Sequence, residues 1–205
     1  MKTLILATLL LFAATAFAAP DSEWAAIVAM DAGPSKKPAT REEAQILART
    51  HLSKQKKLIE TFLAQYPTDP RAFDARLRLA AILAATGKMD NIQQQTDEAM
   101  RILGDLEKSP GAPAEKRADA GFRRASLFLQ GMIGRETQMR DAIVATARNF
   151  VSKYPGDKRG PRLLVEAATV CDNDPGLKRK LLNEAKALSS EEALNYRIAD
   201  DLVRL

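Results

Sequence analysis

The chain has 205 residues, of which 46% are hydrophobic and 28% charged, which is too apolar for general disorder and long enough for one domain with a core. Aromatic residues make up only 5% while Ala, Leu, Lys, Arg and Glu abound, a composition that argues against a sandwich or barrel and for packed helices. A formal net charge of +5 is mild, and the basic residues alternate with Glu and Asp, so no nucleic-acid partner is expected.

The opening stretch "MKTLILATLLLFAATAFAAP" places Lys2 before an apolar run from Leu4 to Ala14 and ends in the small-x-small triplet Ala16-Phe17-Ala18. This pattern predicts a secretory signal peptide over residues 1–18, cut before Ala19. The run is short for a membrane span, and Pro20 and Asp21 follow it in place of a basic flank. The mature protein is therefore expected to be periplasmic or secreted, with no stable membrane anchor. Residues 19–39 read as a short helix, "SEWAAIVAM", and a linker with Gly33, Pro34 and Pro38.

A helical domain is expected over 40–205. Thr40 and Glu43 form a capping box, and Ile46, Leu47, Leu52, Ile59, Phe62, Leu63 and Tyr66 follow at mostly helical spacing, which predicts a helix over 41–66. Pro67 stops it. Asp69 is expected to cap the next helix with Pro70 in its first turn, Arg76 and Arg78 outward and Gly87 as its close. Further helices are predicted at about 90–107, from Pro113 to Ile133, and at 135–154 and 159–171. Another starts at Asp174-Pro175, and a last one is opened by a capping box of Ser189 and Glu192.

Two segments share one register. "FLAQYPTDPRAFDARLRLA" spans 62–80 and "FVSKYPGDKRGPRLLVEAA" spans 150–168, 88 positions on. In both, Phe and Tyr pack a corner, Pro ends the first helix, and Asp precedes Arg71 or Arg159, which would pair locally with a carboxylate or face a ligand. The motif thus specifies a helical hairpin twice, with about 44 residues per hairpin.

The chain offers little chemistry. Its single Cys171 can form neither an internal disulfide nor a Cys-x-x-Cys pair, and the repeat places it level with Leu83, so a buried, inert thiol is expected. One His, His51, and one Cys are too few for a metal site. His51 is read as a boundary residue, and phosphate loops and nucleophile elbows are missing. Neighbouring carboxylates, Glu191-Glu192 and Asp200-Asp201, point apart on a helix. No catalytic, cofactor-binding or metal residue is assigned, no cofactor is expected, and the chain is not expected to be an enzyme. A hydrolase built on scattered carboxylates would show a deep pocket of convergent acids.

The 62–80 stretch resembles exported bacterial tetratricopeptide-like proteins, in which Tyr-Pro followed by an Asp cap joins the two helices of a repeat. The resemblance covers 40–205 and implies an all-α fold of antiparallel helical hairpins stacked as a TPR-like right-handed solenoid. The ending "EEALNYRIADDLVRL", with the signal peptide and the Trp-bearing helix, is similar to the helical N-terminal region of exported thioredoxin-fold thiol-disulfide reductases of the TlpA type. That likeness implies a protein-binding or scaffold module, with a protein or peptide partner in the cell envelope, belonging to a reductase whose redox domain is absent from this chain. The last helix carries no stop signal before Leu205, which suits a module that continues. The alternative is a free-standing adaptor of cell-envelope assembly.

Overall fold

The computed structural model describes residues 20–132 and 136–205; the predicted signal peptide, 1–18, lies outside the described residues. The described residues are helical, with no strand. In chain order they form α1 (Pro20–Ala29) with a 3-10 turn over Met30–Ala32, α2 (Arg41–Gln65), α3 (Ala72–Asp90), α4 (Gln93–Glu107) and α5 (Ala114–Gly131). Then come α6 (Glu136–Lys153), α7 (Gly160–Ala168), α8 (Pro175–Leu188) and α9 (Glu192–Val203). Each helix packs chiefly on its neighbours in sequence, and α5 also reaches α7.

The helix starts and stops follow from local chemistry. Thr40 caps α2 by accepting from the Glu43 N–H at 3.1 Å, and the Glu43 carboxylate accepts from the Ala39 N–H at 2.8 Å. Asp174 caps α8 through the Leu177 N–H at 3.0 Å, with Pro175 in the first turn.

Four expectations change. Asp69 does not cap α3: that helix starts at Ala72 with Arg71 as its N-cap residue, and the Asp69 carboxylate holds the Arg71 N–H instead. Gly87 does not close α3, which runs three residues further and ends on Asn91 in the left-handed region at φ 55°. What requires a glycine at 87 is the approach of the next helix, since a Cβ there would stand 2.8 Å from Thr96 Oγ1 and 3.1 Å from the Ile92 carbonyl. The helix predicted over 159–171 stops at Ala168, and Cys171 sits in the turn that follows. Finally, the N-cap of α9 is Glu191 rather than Ser189, whose hydroxyl accepts from the Glu191 N–H at 3.2 Å in a turn one step upstream.

The core is divided along the chain. Ile27, Ile59, Phe62, Ala75 and Ile82 form an N-terminal cluster from α1, α2 and α3. Leu77, Ala80, Leu83, Ala99, Leu103, Leu106 and Ala120 join α3, α4 and α5. A larger cluster, including Ile143, Phe150, Leu163, Leu181 and Ile198, joins α5 through α9. Complete burial of Phe62 contributes roughly 2–3 kcal/mol by area removed from water.

Candidate functional site: a repeated corner, a charged ladder and a groove

At the first corner the Asp69 carboxylate accepts three bonds from Arg71, from its backbone N–H, Nε and Nη2, each at 2.8 Å. At the second, Asp157 accepts the same three from Arg159, at 2.9, 2.9 and 2.7 Å. The bidentate fork fixes each guanidinium beside the ring beneath it, 5.7 Å from the Phe62 centroid for Arg71. The guanidinium hydrogen bonds hold the Asp69 carboxyl down at about 2, and Arg159 likewise keeps Asp157 below its ordinary value. Of the two roles open to Arg71 and Arg159, local pairing with carboxylates is the one the structure displays.

The repeat extends beyond the hairpin. The remaining nitrogen of Arg71, Nη1, donates to Asp21 of α1 at 2.7 Å, and that of Arg159 donates to Asp119 of α5 at 2.6 Å. Three residues after each aspartate stands an aromatic ring, Trp24 or Phe122, packed on Phe62 at 5.6 Å or on Phe150 at 5.8 Å. Helix α1 therefore stands to α2 and α3 as α5 stands to α6 and α7. Ile27, fully buried, matches Ala125, 98 positions on.

Ion pairs link each odd-numbered helix to the next. Asp21 and Asp31 reach Arg71 and Arg78 from the α1 side, Asp74 of α3 accepts from Lys116 of α5 at 2.8 Å, and Asp119 of α5 accepts from Arg159 at the head of α7. Arg162 of α7 then grips Glu191 ahead of α9 at 2.7 Å. Between α2, α3 and α5 this ladder edges a groove of about 490 Å3. Its apolar part is Leu52, Leu77, Ala81 and Ile82; its polar part alternates Asp31, Asp74 and Asp119 with Arg78 and Arg123. Gln55, buried, donates to Asp31 at 3.0 Å and fixes its position.

The three aspartates do not form a set of convergent free acids. Asp31 is paired with Arg78, Asp74 with Lys116, and Asp119 with both Arg123 and Arg159. Such an arrangement presents alternating, internally paired charge over apolar carbon.

A second polar centre lies between α4, α5 and α6. Glu107, 5% exposed, accepts from Lys153 at 2.7 Å and from Arg124 Nε at 2.8 Å, and the Tyr154 hydroxyl stands 3.2 Å away. Burial pushes its carboxyl up, but Lys153 and Arg124 outweigh that and leave it below its ordinary value. Gly121 makes room for it: a Cβ there would stand 3.0 Å from Glu107 Oε1 and 2.9 Å from Tyr154 Cε2. Sequence reasoning missed Glu107; the available signal was a glycine inside α5, where only close approach explains it.

His51 Nε2 lies 2.7 Å from the Met30 carbonyl and ties α2 to the 3-10 turn. Cys171 is buried, and burial raises its thiol above the ordinary value, the behaviour of an apolar core residue. Asp200 pairs with Arg204, whereas Glu191 pairs with Arg162. Among the described residues no group of three or more His, Cys, Asp or Glu could hold a metal ion, and no helix is long and apolar enough to cross a membrane. Comparison with protein families, curated proteins and solved structures finds no match for this chain.

Proposed function

We propose that the protein is an exported helical-repeat module that binds a polypeptide segment of a cell-envelope partner in the groove between α2, α3 and α5. The single observation that carries this reading is the groove's alternation of paired aspartates and guanidinia over Leu52, Leu77 and Ile82. Repeat arrays commonly use such an elongated surface for extended ligands. The neighbour-on-neighbour packing, the two copies of the Asp–Arg corner and the division of the core into successive clusters support a TPR-like solenoid of stacked hairpins. The sequence pattern of residues 1–18 supports export.

A selection from a displayed library of random nonapeptides tests the binding claim. Peptides should be enriched on the protein, and the double variant Arg78→Glu/Arg123→Glu should lose them or select peptides of altered charge. A selection that returns no binder, or binders indifferent to the double variant, would count against it.

The resemblance of 191–205 to the helical region of TlpA-type reductases supports placing the module in such a protein, as the part that recruits a substrate for a redox domain carried outside this chain. The intact mass of the protein from its native envelope tests that placement. A mass exceeding that of residues 19–205 by one small domain, about 100–150 residues, is the expected result, and a mass equal to residues 19–205 would favour the free-standing adaptor.

A further inference from the structure

The exposed groove between α1 and α2 is the counterpart of a groove that the chain itself fills elsewhere. Between α5 and α6 the walls are Gly121, Arg124 and Phe128 on one side and Thr146 and Asn149 on the other, and α4 closes the space with Met100 and Glu107, leaving a cavity of about 280 Å3. The residues 98 positions before the first three are Glu23, Ala26 and Met30, and those 88 positions before the last two are Leu58 and Thr61. These five line the groove between α1 and α2, which has a larger volume, about 640 Å3, and is mostly apolar. No described helix stands there as α4 stands on α5 and α6. Leu58, on the wall of this groove, is left 38% exposed.

Two differences between the copies show what the occupant must be. Glu107 reaches its place in the second copy because residue 121 is glycine. In the first copy Glu23 takes that position, and the Gln65 side-chain amide, which matches Lys153, donates to it at 2.8 Å when assigned with its nitrogen toward the carboxylate. The carboxylate is already supplied, so an incoming helix needs a small residue there. The second difference lies at the other end. Ala142 and Ala145 of α6 are replaced by Lys54 and Lys57 in α2, both lining the groove and neither ion-paired among the described residues. Since α4 runs in the same direction as α6, with Met100 level with Thr146 and Glu107 level with Lys153, Lys54 lies level with position 96, one turn before Met100, and Lys57 level with position 99, next to it. Carboxylates there complete the match.

We propose that the α1–α2 groove docks one acidic amphipathic helix of a partner protein, seated as α4 is seated on α5 and α6. Its apolar stripe covers Ala26, Met30 and Leu58, its acidic residues meet Lys54 and Lys57, and a small residue packs beside Glu23. This surface is distinct from the α2–α3–α5 groove, and peptide binding at either one leaves the other untested.

The test uses the purified protein and a labelled 15-residue peptide with the α4 sequence, residues 93–107, carrying Glu107→Ala. The peptide retains Asp97, three residues before Met100 and next to position 96. Fluorescence anisotropy should give a Kd on the order of 100 µM, a weak single-helix affinity. Amide and Trp24 indole shifts should be confined to α1 and α2. The surface variant Lys54→Glu/Lys57→Glu should weaken binding about tenfold, the change that 1.4 kcal/mol of lost attraction produces, and the unmodified peptide should bind more weakly than its Glu107→Ala form. Absence of binding, an affinity unchanged by the lysine reversal, or shifts on α3 and α5 from exchange with the resident α4 would overturn the proposal. A Leu58→Asp variant, checked for helix content by circular dichroism, should change peptide binding and leave the sedimentation coefficient as it is; a changed oligomeric state would name a second copy of the chain as occupant and overturn the partner assignment.

Discussion

Trp24 and Phe122 hold the same station in two copies of one corner. Trp24 packs on Phe62 at 5.6 Å with the Arg71 guanidinium 6.0 Å from its ring, and Phe122 packs on Phe150 at 5.8 Å with Arg159 at 4.8 Å. The short helix after the predicted cleavage site is thus bound into the N-terminal core. Truncating Trp24→Ala should destabilise the protein by about 3 kcal/mol, while Trp24→Phe, which copies the second corner, should cost under about 1.5 kcal/mol. Urea unfolding followed by circular dichroism measures both, and a Trp24→Ala protein as stable as its parent would detach α1 from the core.

Glu107 joins three helices through Lys153, Arg124 and its own place in α4. Glu107→Ala removes the buried partner of two half-exposed cations, and the expected loss is about 1–3 kcal/mol, the cost of the charged hydrogen bonds it made. The comparison is Glu98→Ala, whose carboxylate pairs with Arg101 on the surface and should cost no more than about 0.5 kcal/mol. Equal losses in the two variants would remove the distinction between them.

The same carboxylates set a pH dependence. Glu107 and Asp157 sit below their ordinary values, and Asp69 falls from 3.8 to about 2. In this range the unfolded chain binds protons more readily than the folded one, so stability falls as pH falls. The contribution of Glu107 is complete above its ordinary value of 4.5 and is lost as pH drops through its depressed folded value. Unfolding free energy measured between about pH 5 and pH 3 should therefore decline less steeply in Glu107→Gln than in the parent. Identical slopes would show that Glu107 titrates alike in both states.

Glycines in adjacent helices should respond in opposite directions. Gly121→Ala forces a Cβ against Tyr154 and Glu107, both held by other bonds, and should cost about 1–3 kcal/mol. At Gly104 the nearest atom to an added Cβ is Arg124 Cδ at an ordinary 3.8 Å, so Gly104→Ala should stabilise α4 by about 0.5–1 kcal/mol. Thermal melts of the two variants decide this, and destabilisation by Gly104→Ala would contradict the packing described.

Much of this architecture was legible because it rests on local signals. Thr40-Glu43, Tyr66-Pro67 and Asp174-Pro175 each fix a chain direction within a few residues, and the Phe–Tyr–Pro–Asp–Arg register gave the paired corners directly. The match between α1 and α5 was not legible. The interval from Trp24 to Phe62 is ten residues longer than that from Phe122 to Phe150, so no fixed spacing carries both helices. Asp69 was misread because its side chain has two backbone donors within reach, the helix start and the nearer Arg71 N–H, and the Arg71 guanidinium favours the nearer. The groove was hidden for a different reason. Asp31, Asp74 and Asp119 lie on three separate elements, and surface charges look alike in sequence whether they edge a groove or face solvent.

The most direct measurement of the central claim is an amide chemical-shift map of the protein titrated with a mixed-charge nonapeptide recovered by the selection described above. Saturable shifts confined to residues around Leu52–Gln55, Asp74–Ile82 and Lys116–Arg123, and abolished by Arg78→Glu/Arg123→Glu, are the predicted result. Shifts that map elsewhere on the helices, or that survive the double variant unchanged, would contradict the assignment of this groove as the polypeptide-binding site.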